Sequence, residues 1–307
     1  MTSTDHIGQT TTALRELDAG FSGVLAVAAR AEDTGEVVTH DADRVLPTAS
    51  VIKLAVLAEV FRQDATGPLS LREKIALDEG NRVGGSGVLK DLSPGVVLPV
   101  LDYATLMIVV SDNSATNTLI DLVGGVGPVN GFMRELGLDT ITLHRKVVFG
   151  APGGPAPLLG EASPRHLMEL MGLLWRRELV SAAASERMLA ILGRQHYLDQ
   201  APRLLRHDPL ATELGAEPEV GIACKTGMIG GIRADAGLLR LRGRPVSYAI
   251  MTDGSADTAL YVDQEGMRTV AAAGAALAEC FWPGPGPAPV RAGSGPGQPS
   301  RSPSVRR

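Results

Sequence analysis

Ser50-Val51-Ile52-Lys53, Ser111-Asp112-Asn113 and Lys225-Thr226-Gly227 follow one another along the chain, and together they hold the parts of a serine acyl transfer. The first string offers a hydroxyl nucleophile with an amine three residues on. Residues so spaced share a helix face, and a desolvated lysine loses its proton easily enough to serve as a general base near neutrality. The second adds a hydroxyl, Ser111, that could relay a proton to a leaving amine, and an amide, Asn113, that could hold a substrate amide. The third brings a cation and a hydroxyl suited to an anionic carboxylate, and a glycine that admits a substrate close to the backbone. The N–H groups of Ser50 and of Met228, just past Gly227, are placed to receive a developing oxyanion.

Each string has a plainer reading. A Ser-x-x-Lys match arises by chance in roughly one chain in two of this size, so its context has to decide. Pro47-Thr48-Ala49-Ser50 opens a helix whose next residues, Val51, Ile52, Leu54, Ala55, Val56, Leu57 and Ala58, are apolar on every side, and such a helix is buried. Lys53 is then a cation at a buried helix N-terminus, disfavoured by desolvation and by the helix dipole unless chemistry needs it. The plainer alternative has Ser50 cap the helix and Lys53 snorkel to water. Ser111-Asp112-Asn113 also reads as an N-cap cluster between the apolar run 106–110 and a helix at 115–123. Lys225-Thr226-Gly227 also reads as the exit of a strand at 220–224 through a glycine turn. All three in this order should occur by chance in well under about one chain in a thousand.

The elements that must position these residues fall into a pattern. A short helix near 10–17 precedes strand-like runs at 24–30 and 36–40, joined by Asp33-Thr34-Gly35. Helical segments follow at 51–61, 105–110, 115–123, 129–136 and 165–179. Strands return at 220–224, 236–241 and 246–251, the last two joined by Arg242-Gly243-Arg244-Pro245, and an Ala-rich helix closes the fold at 263–281. The expectation is an α/β (α+β) fold: an antiparallel sheet built from both chain ends, flanked by N- and C-terminal helices, with an all-helical sub-domain inserted and a cleft between them. The α/β sub-domain takes 1–47 and 210–282, the helical one 48–209. Gly150 to Gly160 reads as an irregular Pro/Gly-rich surface loop, and 283–307 as a disordered tail.

Composition narrows the function classes. Over 307 residues, 44% are apolar, 21% are charged and the net charge is −5, ordinary values for a globular enzyme. Basic residues are scattered, which argues against nucleic acid as a partner. Cys224 and Cys280 are too few for a disulfide framework and are expected as free thiols, Cys224 in a buried strand. The histidines form no His-x-His or His-x-x-x-His pair, so no metal and no other cofactor is called for. Residues 1–18 lack the features of a secretory signal and no apolar run is long enough to span a membrane, so the expectation is a cytoplasmic monomer acting on a small molecule.

With these motifs in place, over roughly residues 10 to 282, the chain resembles the penicillin-recognising serine hydrolases, specifically the class A β-lactamase family. The resemblance takes in Pro47-Thr48-Ala49-Ser50-Val51-Ile52-Lys53, the Ser-Asp-Asn run with its following Ala115-Thr116-Asn117, and the late Lys-Thr-Gly. It implies the same two-part architecture, Ser50 as the acylated nucleophile, Lys53 as its base and Ser111 as the proton shuttle. Asn113, Lys225, Thr226 and Gly227 would bind the substrate amide and carboxylate. Arg233 reads either as a second carboxylate contact or as a solvated turn residue.

One departure matters. The family deacylates with a glutamate in an Arg-x-Glu-x-x-Leu-Asn pattern, and the matching stretch here is Arg145-Lys146-Val147-Val148-Phe149-Gly150-Ala151, with no carboxylate at the required place. Glu161 is the nearest acid, either the base or a solvated loop residue ahead of a helix capped by Ser163-Pro164. The implied function is a serine hydrolase that acylates Ser50 with a β-lactam or related cyclic amide and hydrolyses the product. A peptidase, esterase or acyltransferase with weak or no β-lactam turnover, and a non-catalytic protein that binds a β-lactam-like ligand, are the alternatives.

Overall fold

The computed structural model describes residues 3–149, 158–208, 210–211, 213–283, 288 and 290. Most of the 150–160 loop and nearly all of the tail from 283 lie outside these residues.

In chain order the elements are α1 (Ser3–Ala19), β1 (Val24–Ala31), β2 (Val37–His40), β3 (Leu46–Pro47), α2 (Lys53–Thr66), β4 (Lys74–Ala76), β5 (Val97–Pro99), α3 (Val100–Val109), α4 (Asn113–Leu122), α5 (Val126–Glu135), β6 (Thr142–Leu143), β7 (Gly160–Ala162), α6 (Pro164–Trp175), α7 (Ala182–Leu192), β8 (Val220–Ile229), β9 (Ile232–Leu241), β10 (Arg244–Asp253) and α8 (Glu265–Phe281). The fold class is the expected one. Five strands form an antiparallel sheet in the order β2-β1-β10-β9-β8, so strands from the two chain ends meet where β1 pairs with β10. Short ladders β3-β7-β6 and β4-β5 sit among the helices.

Period-two alternation gives the sheet two different faces. Leu25, Val27, Leu239, Tyr248 and Ile250 point into one core with Val270, Leu277 and Phe281 of α8 and Leu14 of α1. Ala26, Ala234, Ala236 and Ala249 point the other way, into a core shared with α2, α3, α6 and α7. The small residues on that face let helices come close to the sheet. In α2 every residue from Lys53 to Phe61 is buried, as its apolar surface requires, and the helix ends at Gly67, whose φ of 101° needs glycine. Each fully buried Leu, Ile or Val contributes about 1.5–3 kcal/mol of transfer free energy. No helix among the described residues is long and apolar enough to cross a membrane.

Several sequence expectations need correction. The first helix is Ser3–Ala19, longer than 10–17, and α6 stops at Trp175 where 165–179 was expected. The helix α7, absent from the expected set, is capped by Ser181, whose side chain accepts from Ala184 N–H. The strand expected at 220–224 runs on to Ile229, because β9 offers it hydrogen-bonding partners as far as Ile232 across a turn at Gly230-Gly231. Apolar patterning missed this extension, since Lys225 and Thr226 are polar yet buried.

Candidate active site

Ser50 does not cap a helix. It lies in a 3-10 turn, Ala49–Ile52, that runs directly into α2 with no side-chain cap at either start. Ala49 enters the turn with φ of 44°, a left-handed conformation that costs a non-glycine residue about 1–2 kcal/mol. Neighbouring bonds hold it: Thr48 N–H donates to Gly160 O at 3.0 Å and Val51 N–H to Thr48 O at 3.0 Å. Ser50 remains half-buried.

Lys53 does not snorkel to water; it is fully buried. Its Nζ donates to Ser111 O at 2.7 Å, Ser111 Oγ at 3.0 Å and Asn113 Oδ1 at 2.9 Å, which occupies all three ammonium protons. Spacing suggested a Lys53 amine within reach of Ser50, whereas the bonds it makes are to the second string. Burial, reinforced by the nearby Lys225 cation and opposed by Asp112, holds the Lys53 pKa well below the usual lysine value.

Ser111 has φ of 52° and sits in the bend between α3 and α4. Asp112 is the N-cap of α4, as the capping reading supposed: its Oδ1 accepts from Ala115 N–H at 2.9 Å. Its Oδ2 accepts from Val88 N–H at 2.7 Å and Leu89 N–H at 2.8 Å, so this carboxylate ties down the 84–89 loop. Asn113 completes the tie, donating from Nδ2 to Gly84 O at 3.0 Å and from its backbone N–H to Ser86 O at 3.1 Å. The Asn113 amide is thereby fixed between Lys53 and the loop.

The third string closes the site from the sheet. A β-carbon on Gly227 would stand 2.5 Å from Thr48 O and 2.9 Å from Ser50 N, so only glycine lets β8 lie against the Ser50 turn. Lys225 is buried and donates to Thr226 O at 2.7 Å; burial lowers its pKa to about 8 against the pull of Cys224, Asp235 and Asp199. Thr226 is buried as well, while Met228 at the strand end is exposed.

Arg233 is neither at a turn nor solvated. It sits in β9 opposite Met228, fully buried, with its guanidinium on Gly230 O, Ile232 O and Ala259 O. Those carbonyls hold it in the hairpin. Glu161 is likewise not in a loop: it lies in β7 opposite Pro47 and Thr142, with its carboxylate 3.6 Å from His144 Nε2.

Where a glutamate would be expected, Val147 is clamped by Asn117, whose Oδ1 accepts from Val147 N–H at 2.7 Å and whose Nδ2 donates to Val147 O at 3.0 Å. Lys146 beside it bonds Asn81 at 2.6 Å and Asp121 at 2.7 Å. The neighbouring Phe149 ring packs over Gly84 and Gly85 beside Asn113.

Two groups near Gly227 escaped sequence reasoning. Asp235, opposite Thr226 in β9, is buried; its Oδ1 accepts from Tyr248 OH at 2.9 Å and its Oδ2 from Ala201 N–H at 3.0 Å. Burial raises its pKa to about 7, those two bonds opposing. A lone acid among the alanines and leucines of β9 was the available signal, the same one that singled out Lys53. Gln200, on an irregular segment before the 3-10 turn Ala201–Leu204, donates from Nε2 to Gly227 O at 3.0 Å. Nothing in the sequence distinguished it.

A β-lactamase of Streptomyces fradiae is 31% identical over 180 residues, which cover 57% of this chain and 58% of that protein. A β-lactamase structure from Sphaerobacter thermophilus DSM 20745 is 25% identical, covers 90% of this chain and 96% of its own, and superposes with a TM-score of 0.75. A mutant of PBP-A, solved as an acyl-enzyme complex with penicillin G, is 25% identical over 89% of this chain and 95% of its own, with a TM-score of 0.74. The chain spans from 37% to 58% of the length of the first curated relatives it matches. The model of the beta-lactamase enzyme family matches residues 9–281, and the chain belongs to that family.

Proposed function

We propose that a β-lactam or related cyclic amide acylates Ser50 and that the acyl-enzyme is hydrolysed slowly. The observation that carries this reading is the buried Lys53 amine bonded to both Ser111 Oγ and Asn113 Oδ1 beside the Ser50 turn. Neutral Lys53 takes the Ser50 proton as Oγ attacks the carbonyl carbon, and the N–H groups of Ser50 and Met228 receive the oxyanion. When the C–N bond breaks, Ser111 Oγ gives its proton to the leaving nitrogen and is recharged from the Lys53 ammonium. Asn113 holds the substrate amide, and Lys225 with Thr226 attracts its carboxylate. The PBP-A mutant captured as an acyl-enzyme with penicillin G supports the covalent step.

Hydrolysis is the weak half. A deacylating water needs a base, and the position that would carry it is Val147. Glu161, paired towards His144 in β7, is a poor substitute. Loss of general-base assistance costs roughly 10²–10⁴ in rate. This same feature favours a second reading, in which the acyl group passes to an amine or alcohol and the protein is a peptidase, esterase or transacylase with little β-lactam turnover. A non-catalytic receptor for a β-lactam-like ligand is a third reading, set against the cost of burying Lys53.

Intact-protein mass spectrometry with penicillin G over a time course separates them. A mass gain lost in Ser50→Ala and decaying slowly in water supports the first reading. Faster release by an added amine or alcohol supports the second. Retained ligand with no covalent adduct leaves only the third.

A further inference from the structure

We propose that Gln200 is a positioning residue for acylation, orienting and polarising the peptide group that donates from Met228 to the oxyanion. This rests on the reading of Ser50 as the acylated nucleophile. Gln200 Nε2 donates to Gly227 O at 3.0 Å, and that carbonyl belongs to the same peptide unit as the Met228 N–H. No described peptide bond is cis, so the C=O and N–H of this unit point in opposite directions. Gln200 therefore holds the end of the plane remote from the reacting carbonyl. A hydrogen bond accepted at a carbonyl strengthens its amide N–H as a donor, and a plane fixed beforehand needs no rearrangement as charge develops.

Three further observations bear on the assignment. Gln200 is fully buried, yet its Oε1 has no hydrogen-bond partner among the described residues. An unpaired buried acceptor costs stability, and an apolar side chain of the same size would avoid that cost, so packing alone does not account for the residue. Its acceptor is a carbonyl, which fixes the amide with nitrogen towards Gly227. The segment is also anchored at the right place: Ala201 N–H binds Asp235, which lies opposite Thr226, one residue before the peptide that Gln200 holds. A donor on Gly227 O thus has rigid support.

The test uses the full chain with nitrocefin in stopped flow and penicillin G in infrared difference spectroscopy of the acyl-enzyme. Gln200→Met keeps the bulk and removes the donor. It should slow acylation about tenfold, short of the 10²–10³ lost with a whole oxyanion donor, with the dissociation constant of the non-covalent complex little changed. The ester carbonyl band should move to higher wavenumber. Gln200→Glu guards against misfolding of the first variant. As a carboxylate it cannot donate, as a carboxylic acid it can, so its acylation rate relative to wild type should recover as pH falls. Wild-type rates and an unmoved band in Gln200→Met, or a Gln200→Glu ratio independent of pH, would overturn the proposal. Failure of the wild-type protein to form an adduct would remove the parent reading, and this proposal with it.

Discussion

Asn117 grips the backbone of Val147 with both ends of its amide, accepting from the N–H at 2.7 Å and donating to the C=O at 3.0 Å. Position 147 is therefore held firmly, and what it lacks is a carboxylate. Val147→Glu should speed release of the penicilloyl group by roughly 10² or more, the scale of a general base, while leaving acylation nearly unchanged. Single-turnover mass spectrometry at fixed pH checks this; an unchanged release rate would show that water activation fails for another reason.

Lys53→Ala removes the buried amine and its three hydrogen bonds. Acylation of Ser50 should fall by about 10²–10⁴, measured as adduct formed per unit time with nitrocefin. Denaturant unfolding provides the control, since a variant that loses its rate because it has unfolded would lose its cooperative transition too.

The rate of acylation should follow a bell in pH. Lys53 acts as a base only when neutral, so the rate rises as pH passes upward through its lowered pKa. Lys225 attracts a carboxylate only when charged, so the rate falls again around its pKa of about 8. Lys225→Arg keeps the charge at high pH and should abolish the alkaline limb. A limb that persists in this variant would assign it to another group.

Asp235 makes a separate prediction for stability. Its pKa is raised by burial to about 7, so between the ordinary carboxylate range and pH 7 the native state holds a proton that the unfolded chain has released. Stability should therefore fall as pH rises across about 4 to 7. Urea unfolding at both ends of that window should show the fall in wild type and a flatter dependence in Asp235→Asn.

Gly227→Ala places a methyl group against Thr48 O and Ser50 N. Neither neighbour is a flexible side-chain end, so β8 and the Ser50 turn must separate. The expected cost is about 1–3 kcal/mol of stability together with a marked loss of acylation. Equal rates in Gly227→Ala and wild type would mean that this close approach has no part in the chemistry.

The sequence was most informative where a residue contradicted its surroundings. Lys53 in an apolar helix could be singled out because burying a cation is costly whatever the fold, and the sheet was legible because its central strands are short apolar runs, buried on both faces, with turn residues between them. Arg233 and Glu161 were misplaced because a strand of mixed polarity resembles a loop when its hydrogen-bonding partners are unknown. The left-handed Ala49 and Ser111 had no signal at all, since only tertiary bonds compel a non-glycine residue into that region. Gln200 was silent for a related reason: its relevance lies in which carbonyl it meets, and that depends on how β8 and the 3-10 turn Ala201–Leu204 come together.

The position of β10 between β1 and β9 has a consequence for how this protein is made. The hairpin of β1 with β2 leaves the ribosome before the helices that follow it, and has no sheet to join until β10, beyond all of those helices but α8, has been translated. A two-stranded hairpin is marginal in water, whereas the intervening helices can pack as they emerge. Synthesis should thus pass through a stage in which a helical body carries an unseated N-terminal ribbon with an open edge. Ribosomes stalled before β10 should hold chains that chaperones bind and proteases cut within β1 and β2, and release of the last strand should end both.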